Sequence, residues 1–452
     1  MDIQKKIDEF VNNAFKGKLA FNILLVTDET SRLSVLRGYN ALSYFRKMYS
    51  TLADVSLVTM TSADFCRTDP DLTKYNVLWI DNVINERMNF MLVDKLDDYA
   101  SDLVDANVLE LSEEEQKLAR KLRSLNLRVI YAIDEFVWDA PGGRTKTIGA
   151  CRIVEDSMII ADTVLTPNAE MQSALIDMHL VAEDKDVVSI PTFVNDNFYP
   201  IHRMYERSMN YATAIRSPKI LIKGVVIPEN VQQFIIEANK PLESRDRRFG
   251  ADYQISISSI FDLKPEIYDL IRSGKVTVLQ HWASPFIKKT SSADNLTETL
   301  AYERDAGFDF IINTVPDDID SNPYEITNLD TDCVLGVAEG AVAIAGVKDA
   351  GYSPETHLCV ASGLIFGRND DYKTIAGLIE KWRIVTNWDS AYKKQRALLR
   401  EREISSKSVM GGFFHAMLGR TLSERYAHNV AETVEAEKKN LAEEKASKKA
   451  KK

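Results

Sequence analysis

Two short segments place chemically active side chains directly after apolar runs of the sequence. Asp134 and Glu135 follow "LRVIYAI", and Lys223 and Gly224 follow "PKILI". Adjacent carboxylates can act as a general base or orient a hydroxyl group. A lysine beside a glycine suits a phosphate, because the ammonium supplies charge and the glycine lets the backbone approach closely. These positions predict two catalytic acids and a ligand-binding Lys-Gly pair.

Three arginines and one histidine lie where an anionic or nucleotide group could be bound. Arg32 and Arg37 flank the turn into a helical segment, whose first N–H groups could meet a phosphate. Arg144 lies in "PGGRTKT", a loop that could close over an anion, and His281 follows the apolar run "VTVLQ". Each position also has a purely structural interpretation as a helix-surface, loop or packing residue. The same holds for the two acids, as a loop cap and a solvated side chain.

The elements that would position these residues alternate along the chain. In the first half, strands are predicted in "FNILLVTD", "ADVSLVTM", "YNVLWIDN", "LRVIYAIDEF", "ADTVLTPN" and "DVVSIPTFVND". In the second half, they are predicted in "PKILIKGVV", "DYQISISSI", "KVTVLQHW", "FDFIINTVP", Ala341 to Ala345 and "THLCVASGLIF". Helical segments separate most of these runs, including "LSEEEQKLARKL", where Ser112 and Glu115 predict a capping box. Such alternation is typical of βαβ units and parallel sheets.

The breaks in this alternation predict five regions. An irregular stretch separates the two halves, and the chain is mostly helical from about Asp371 onward before a charged, low-complexity end. Trp382, Trp388 and Tyr392 lie at helical spacing in that region, which predicts packing against a sheet. The expected regions are a first α/β domain, a linker, a second α/β domain, C-terminal helices and a tail, at 1–195, 196–217, 218–370, 371–432 and 433–452.

Several motifs occur in an order that resembles the GT-B glycosyltransferases. They are "ILLVTDETSRLSVLRGYNAL", "YAIDEFVWDAP", "ADTVLTPNAEMQSAL" and "VVSIPTFVND", and the resemblance extends over roughly residues 20 to 400. It implies an α/β fold of two Rossmann-like, doubly wound domains that face a cleft, with a helical C-terminal closure. It also implies that a nucleotide-sugar donor binds the second domain while an acid of the first domain activates the acceptor hydroxyl.

The stretch "SNPYEITNLDTDCVLGVAEGAVAIAG" resembles the donor loop of the same family. The resemblance implies donor-binding roles for Asn322, Tyr324, Glu325 and Gly340, in addition to Lys223, Gly224 and His281. The family's Lys and Glu are replaced here by Asp332 and Leu335. Acidic residues oppose a diphosphate, which needs positive charge or helix N–H groups. A base must therefore come from elsewhere, and the candidates are Lys223, Arg245, Arg247, Arg248, Lys288 and Lys289.

Composition limits the classes of partner. The chain has 452 residues and a net charge of -11, which argues against a general nucleic-acid-binding protein but leaves a nucleic-acid acceptor open. Its four cysteines are widely spaced, which predicts neither zinc nor disulfides and favours a cytoplasmic location. No run approaches the roughly 18 apolar residues of a membrane helix. The six histidines show no metal-ligand spacing, and no metal or cofactor is expected.

Three functions are consistent with these patterns. The favoured prediction is a glycosyltransferase of the hexosyltransferase type, which moves a sugar from a nucleotide-sugar donor to an unknown acceptor. The alternative is a catalytically inactive GT-B-shaped scaffold or assembly protein, favoured by the replaced donor-loop residues. A different nucleotide-dependent enzyme on the same frame, such as a sugar epimerase, is the third. The sequence leaves the sugar, the acceptor and the oligomeric state open.

Overall fold

The fold is described from a computed structural model of the chain. It describes residues 3–14, 19–27, 38, 41–48, 50–133, 148–167, 169–182, 185–190, 214–224, 226–241, 243–279, 307–314, 329–348, 357–367, 369–404, 406–420, 422–423 and 426.

The first half of the chain forms a six-stranded parallel sheet. Its strands are β1 (Leu19–Thr27), β2 (Ala53–Thr61), β3 (Val77–Asp81), β4 (Arg128–Ala132), β5 (Thr163–Thr166) and β6 (Asp186–Ser189). They lie in the order β2-β1-β3-β4-β5-β6, and every neighbouring pair is parallel. All residues of β3 and β4 are buried, which explains why these strands are apolar except for Asp81 at the end of β3 and Arg128 at the start of β4.

The second half forms a five-stranded parallel sheet. Its strands are β7 (Lys219–Lys223), β8 (Gln254–Ile257), β9 (Val276–Val278), β10 (Phe310–Asn313) and β11 (Val342–Ala345). They lie in the order β11-β10-β7-β8-β9, again with parallel neighbours throughout. The expected α/β class with two doubly wound sheets is therefore confirmed.

Helices connect the strands of both sheets. The α-helices are Ile3–Asn13, Ala41–Met48, Ser62–Thr68, Glu86–Val104, Glu113–Asn126, Ile148–Ile160, Ala169–Asp177, Glu229–Ala238, Pro265–Arg272, Leu329–Ala338, Leu358–Ser362, Tyr372–Trp382, Val385–Ile404 and Ser406–Leu418. The predicted capping box is confirmed, since Ser112 Oγ accepts from Glu115 N while Glu115 Oε2 accepts from Ser112 N. Within the described residues, no helix combines the length and apolarity needed to cross a bilayer.

The strand predicted in "THLCVASGLIF" is wrong, because most of this segment is helical. His357 Nδ1 accepts a hydrogen bond from Cys359 N at 3.1 Å and so starts the helix Leu358–Ser362. Gly363 ends the helix in the left-handed conformation, with φ of 75°. Only Ile365 behaves as predicted, in an isolated parallel bridge with Ala345. The two helix ends were not recognised in a short apolar run that fits either structure.

The helix Val385–Ile404 packs on the second sheet. Its Trp388 and Tyr392 are buried and stack with ring centroids 5.2 Å apart, and Trp388 Nε1 donates to Asp309 O at 3.0 Å. The predicted packing role of these two aromatic residues is confirmed. The buried Gln395 side chain hydrogen-bonds both backbone groups of Ala343, donating to its oxygen at 2.8 Å and accepting from its nitrogen at 3.0 Å. Gln395 thereby covers β11, the edge strand of this sheet.

The last described helix, Ser406–Leu418, packs on the first sheet. Phe413 and Phe414 lie in the same buried cluster as Phe45 and Trp79. Arg128, the first residue of β4, binds Asp186 through its Nη2 and donates from Nε to Ala416 O at 3.3 Å. The C-terminal helices thus contact both sheets, as the expected helical closure requires.

The chain enters and leaves the second half at adjacent points. Ala214 and Ile384 form an antiparallel bridge, and Ile215 N donates to Arg383 O at 2.9 Å. Arg383 also ion-pairs with Glu380 at 2.5 Å, and burial, reinforced by the nearby Glu380 carboxylate, raises the pKa of Tyr253. The predicted linker falls on residues that lie mostly outside the described ranges, so the five region boundaries stay predictions.

Candidate functional site

The order of the second sheet reverses between β7 and β10. From β7 the chain continues through β8 and β9 on one side, whereas β10 and β11 lie on the other side. The two strands end level with each other, since Lys223 pairs in register with Asn313. Loops that leave such a point in opposite directions open a crevice at the carboxyl ends of the strands, where doubly wound sheets bind ligands. This crevice is the candidate site.

Lys223 occupies the centre of the candidate site. Its side chain is only 1% exposed, and its Nζ lies 3.2 Å from Asp332 Oδ1. The Asp332 side chain is 34% exposed and belongs to the helix Leu329–Ala338. The lysine that was predicted to bind a phosphate and the acid that was predicted to oppose one therefore form an ion pair. The pairing compensates a buried positive charge, which is costly in a protein interior without a partner.

Gly224 brings three strand ends together. A Cβ atom at this position would lie 1.9 Å from Thr314 Oγ1, so a side chain does not fit. Gly224 N donates to Ser258 Oγ at 3.3 Å, and Thr314 N donates to Lys223 O at 2.8 Å. The loops that follow β7, β8 and β10 are thus hydrogen-bonded to one another. Thr314 fills the space beside Gly224, so the packing of these loops requires a glycine at this position.

Two predicted residues lie at the opposite, amino edge of the second sheet. Gly340 precedes β11, has φ of 96°, and its N donates to Val337 O at 3.2 Å at the end of a helix. Arg245 precedes β8 and ion-pairs with Asp252 at 3.0 Å. Because Lys223 is at the carboxyl edge, the structure does not bring Gly340 or Arg245 to it. The left-handed backbone alone explains the glycine at 340.

Arg247 and Arg248, two of the alternative bases, are exposed in the same segment as Arg245, before β8. The remaining predicted site residues lie outside the described ranges. They are Arg32, Arg37, Asp134, Glu135, Arg144, His281, Asn322, Tyr324 and Glu325, together with the alternative bases Lys288 and Lys289. Their roles stay predictions. For Asp134 and Glu135, the structure fixes only where their loop begins, because the described part of the chain after β4 ends at Ile133.

The first sheet has its own reversal point, between β1 and β3. Thr27 and Asp81 end these strands in register, and both side chains are buried. Gly38 lies against the acid, since a Cβ at Gly38 would be 2.6 Å from Asp81 Oδ2. The prediction from sequence missed Asp81. An acid that ends the buried run "VLWID" is the signal that could have identified it.

The described site offers one cation and one carboxylate to an anionic or hydroxyl-rich ligand. Lys223 supplies a cation in a region of low dielectric, where its field is stronger than in water. Asp332 presents a carboxylate at the solvent boundary. No group of three His, Cys, Asp or Glu side chains within the described part of the chain is arranged to hold a metal ion.

Comparisons with known proteins found similar solved structures and nothing else. No family model and no curated protein matches the sequence. Solved structures similar to this chain include a sucrose-phosphate synthase from Thermosynechococcus elongatus, with 12% identity over 91% of this chain and 99% of that one and a TM-score of 0.43. An α,α-trehalose-phosphate synthase (UDP-forming) from Burkholderia vietnamiensis has 9% identity over 92% and 99% of the chains and a TM-score of 0.42.

A putative UDP-N-acetylglucosamine 2-epimerase from Listeria monocytogenes shows the same degree of similarity. Its identity is 11% over 86% of this chain and 96% of that one, with a TM-score of 0.40. The fold itself rests on the two sheets of this chain: it is an α/β protein of two doubly wound, parallel, Rossmann-like sheets with C-terminal helices that contact both.

Proposed function

We propose that the protein is a glycosyltransferase that binds a nucleotide-sugar donor at the crevice between β7 and β10. The observation that carries the proposal is the position of Lys223, a buried cation at the carboxyl end of the strand where the sheet order reverses. Such a position is where doubly wound sheets bind nucleotides. The lysine would face the donor phosphates, and the motifs that resemble GT-B enzymes support the same assignment.

The proposed reaction follows from charge. The bond between the anomeric carbon and the phosphate oxygen breaks, and a bond to the acceptor oxygen forms. Negative charge that develops on the leaving diphosphate is stabilised by Lys223. The acceptor proton passes to a carboxylate of the first domain, for which Asp134 and Glu135 remain the predicted residues. Asp332 would keep one oxygen on Lys223 and accept a hydrogen bond from a sugar hydroxyl with the other.

A second function, that of a non-catalytic scaffold, is favoured by the same ion pair. Asp332 already compensates the charge of Lys223, so the site is electrostatically complete without a ligand. An assembly protein that kept only the architecture would have this property. The two functions differ in whether a nucleotide binds at all.

A thermal-shift screen separates them. The purified protein is heated with UDP, GDP, ADP, CMP and their sugar conjugates, and with Lys223→Ala and Asp332→Asn variants in parallel. A bound nucleotide at 100 times its dissociation constant stabilises the fold by about 2.7 kcal/mol, which is visible as a higher Tm. We expect a selective shift that Lys223→Ala loses, each variant being compared with its own ligand-free Tm.

The control variant is Lys373→Ala. Lys373 ion-pairs with Asp371 at 3.4 Å on the surface, so its loss should leave the nucleotide shift intact. A shift that persists in Lys223→Ala would remove Lys223 from the donor site. The absence of a shift with any nucleotide at millimolar concentration would overturn the transferase and favour the scaffold.

A further inference from the structure

We propose that Ile260, Phe261 and Tyr268 form a stacking surface for the base of the bound nucleotide. This inference rests on the proposed function and deepens it, because it assigns the part of the site that binds the nucleobase. The three residues are called the 260–268 surface below. They were not among the residues predicted from the sequence.

The 260–268 surface is an exposed group of large apolar side chains. Phe261 is 68% exposed, Ile260 38% and Tyr268 37%. Tyr268 Oη donates to Ile260 O at 2.9 Å, which holds the two sides of the group together. Apolar side chains clustered in water mark binding surfaces more often than isolated ones do.

The loop that carries Phe261 is fixed by hydrogen bonds. Phe261 N donates to Ser259 Oγ at 3.2 Å. Gln232 reaches the loop from a neighbouring helix, donating to Asp262 O at 3.0 Å and accepting from Lys264 N at 2.7 Å. Asp262 has φ of 55°, a left-handed turn directly after the aromatic residue. The backbone is therefore held in one shape while the ring stays in water, which is the arrangement of a preorganised contact.

The same loop begins at the candidate phosphate site. Ser258 Oγ accepts the hydrogen bond from Gly224 N, and Gly224 follows Lys223 in the chain. Three residues of extended chain span at most about 11 Å, so Phe261 lies within about that distance of Ser258. One nucleoside diphosphate can therefore reach from Lys223 to Phe261, with its phosphates at the lysine and its base at the ring.

A phenyl ring has no hydrogen-bonding group, so it recognises the flat face of a base and not its edge. Stacking of a base on an aromatic side chain contributes roughly 1–3 kcal/mol and tolerates every base. The ligand class is consequently a nucleoside diphosphate whose base identity is set elsewhere. Inorganic diphosphate shares the charge of this ligand but lacks the stacking group.

The test measures dissociation constants of UDP, ADP and inorganic diphosphate by isothermal titration calorimetry. The variants are Phe261→Ala and Phe261→Trp. We expect Phe261→Ala to weaken UDP and ADP about tenfold, within the range of base stacking, and to leave inorganic diphosphate unchanged. Phe261→Trp should retain nucleotide affinity, and the fluorescence of the new indole should be quenched by UDP.

The matched control is Phe90→Ala. Phe90 is 65% exposed on the helix Glu86–Val104 of the first half, so its loss should affect no ligand. Unchanged UDP and ADP affinity in Phe261→Ala, or an equal loss of inorganic diphosphate, would overturn the stacking surface while Lys223 and the proposed function stand. A wild-type protein that binds neither nucleotide nor inorganic diphosphate would overturn the proposed function, and this inference with it.

Discussion

At the scale of single residues, the candidate site depends on one pair of opposite charges and one glycine. In the sequence, Asp332 argued against a diphosphate site, because it occupies the position at which the donor loops that this segment resembles carry a lysine. In the structure it is the partner of Lys223. Pairing across 109 positions of sequence is decided by the path of the chain, so no local pattern predicts it.

Substitutions of Lys223 and of Asp332 should lower the free energy of unfolding by different amounts. Lys223 is buried, whereas Asp332 is partly exposed, so its carboxylate stays hydrated when Lys223 is replaced. Asp332→Asn leaves a buried ammonium with less compensation and should lower the free energy of unfolding by about 2 kcal/mol. Lys223→Met removes the buried charge together with its desolvation cost and should cost clearly less.

Urea unfolding of both variants tests this asymmetry. Lys393→Met is the control, because its pair with Asp389 is on the surface. An exposed pair of this kind contributes less than about 1 kcal/mol. Equal losses for Asp332→Asn and Lys223→Met would show that the buried charge is not the deciding factor.

Gly224→Ala should destabilise the fold by an overlap of atoms. The added Cβ would meet Thr314 Oγ1 at 1.9 Å, and overpacking of this kind costs about 1–3 kcal/mol. In a Thr314→Ala background the same substitution should cost less, since the hydroxyl is gone. Gly274→Ala is the control, because only its left-handed φ of 73° is at issue and no atom lies within 4 Å. Additive losses in the double variant, measured by urea unfolding, would contradict the explanation.

At the scale of elements, Gln395 completes the edge of the second sheet. Its side-chain amide makes the two hydrogen bonds to the Ala343 backbone that a neighbouring strand would otherwise make. An edge strand left open is a template for pairing with other chains, and a buried amide is one way to cover it. At Ala343, the helix Val385–Ile404 therefore takes the place of a sixth strand.

Gln395→Leu should lower the free energy of unfolding by about 2–4 kcal/mol, because two buried backbone groups of Ala343 lose their partners. Hydrogen exchange of the Ala343 amide should accelerate by more than global destabilisation explains. Gln254→Leu, at an exposed position of β8, should change stability by less than about 0.5 kcal/mol. Unaltered exchange at Ala343 would show that this amide is protected by other means.

The elements were predictable to different degrees. The parallel strands were predicted from apolar runs between helical segments, and the capping box at Ser112 located the start of a helix. The segment around Leu358 was mistaken for a strand because a short apolar run fits either structure and the ends of the helix are set by His357 and Gly363. Lys223 and Asp81 are both the last residue of a strand. Lys223 was identified because the sequence was divided after "PKILI", whereas Asp81 was counted as part of the strand "YNVLWIDN".

At the scale of the whole molecule, the C-terminal helix is joined to the first sheet by a charged cluster. Asp186 binds Arg128, and His415 Nε2 lies 3.6 Å from Asp186 Oδ1. Burial by itself raises the pKa of the Asp186 carboxyl, but the neighbouring His415 and Arg128 outweigh it, so the pKa lies below the ordinary aspartate value. Arg128 also binds Ala416 O, which ties the helix to the sheet directly.

The sign of the pH dependence follows from that shift. A carboxyl whose pKa is lower in the folded state stabilises the fold above its unfolded pKa, about 4, and loses this contribution as the pH falls through the folded value. The wild-type free energy of unfolding should therefore drop below about pH 4, and Asp186→Asn should lose part of that drop. Asp389→Asn, which alters a surface pair, should keep the wild-type profile. Urea unfolding across this pH range gives the comparison, and identical profiles for Asp186→Asn and wild type would contradict it.

The position of Phe413 and Phe414 has a consequence for biosynthesis. Both residues complete the buried cluster of the first sheet, yet roughly 220 residues separate them from Ile190, the preceding member of that cluster. At about 5–20 residues per second, a ribosome needs roughly 10 to 45 seconds to add them. For that time the nascent first half exposes the apolar face that the last helix will cover. We expect chaperones to bind this face until the helix Ser406–Leu418 has been added.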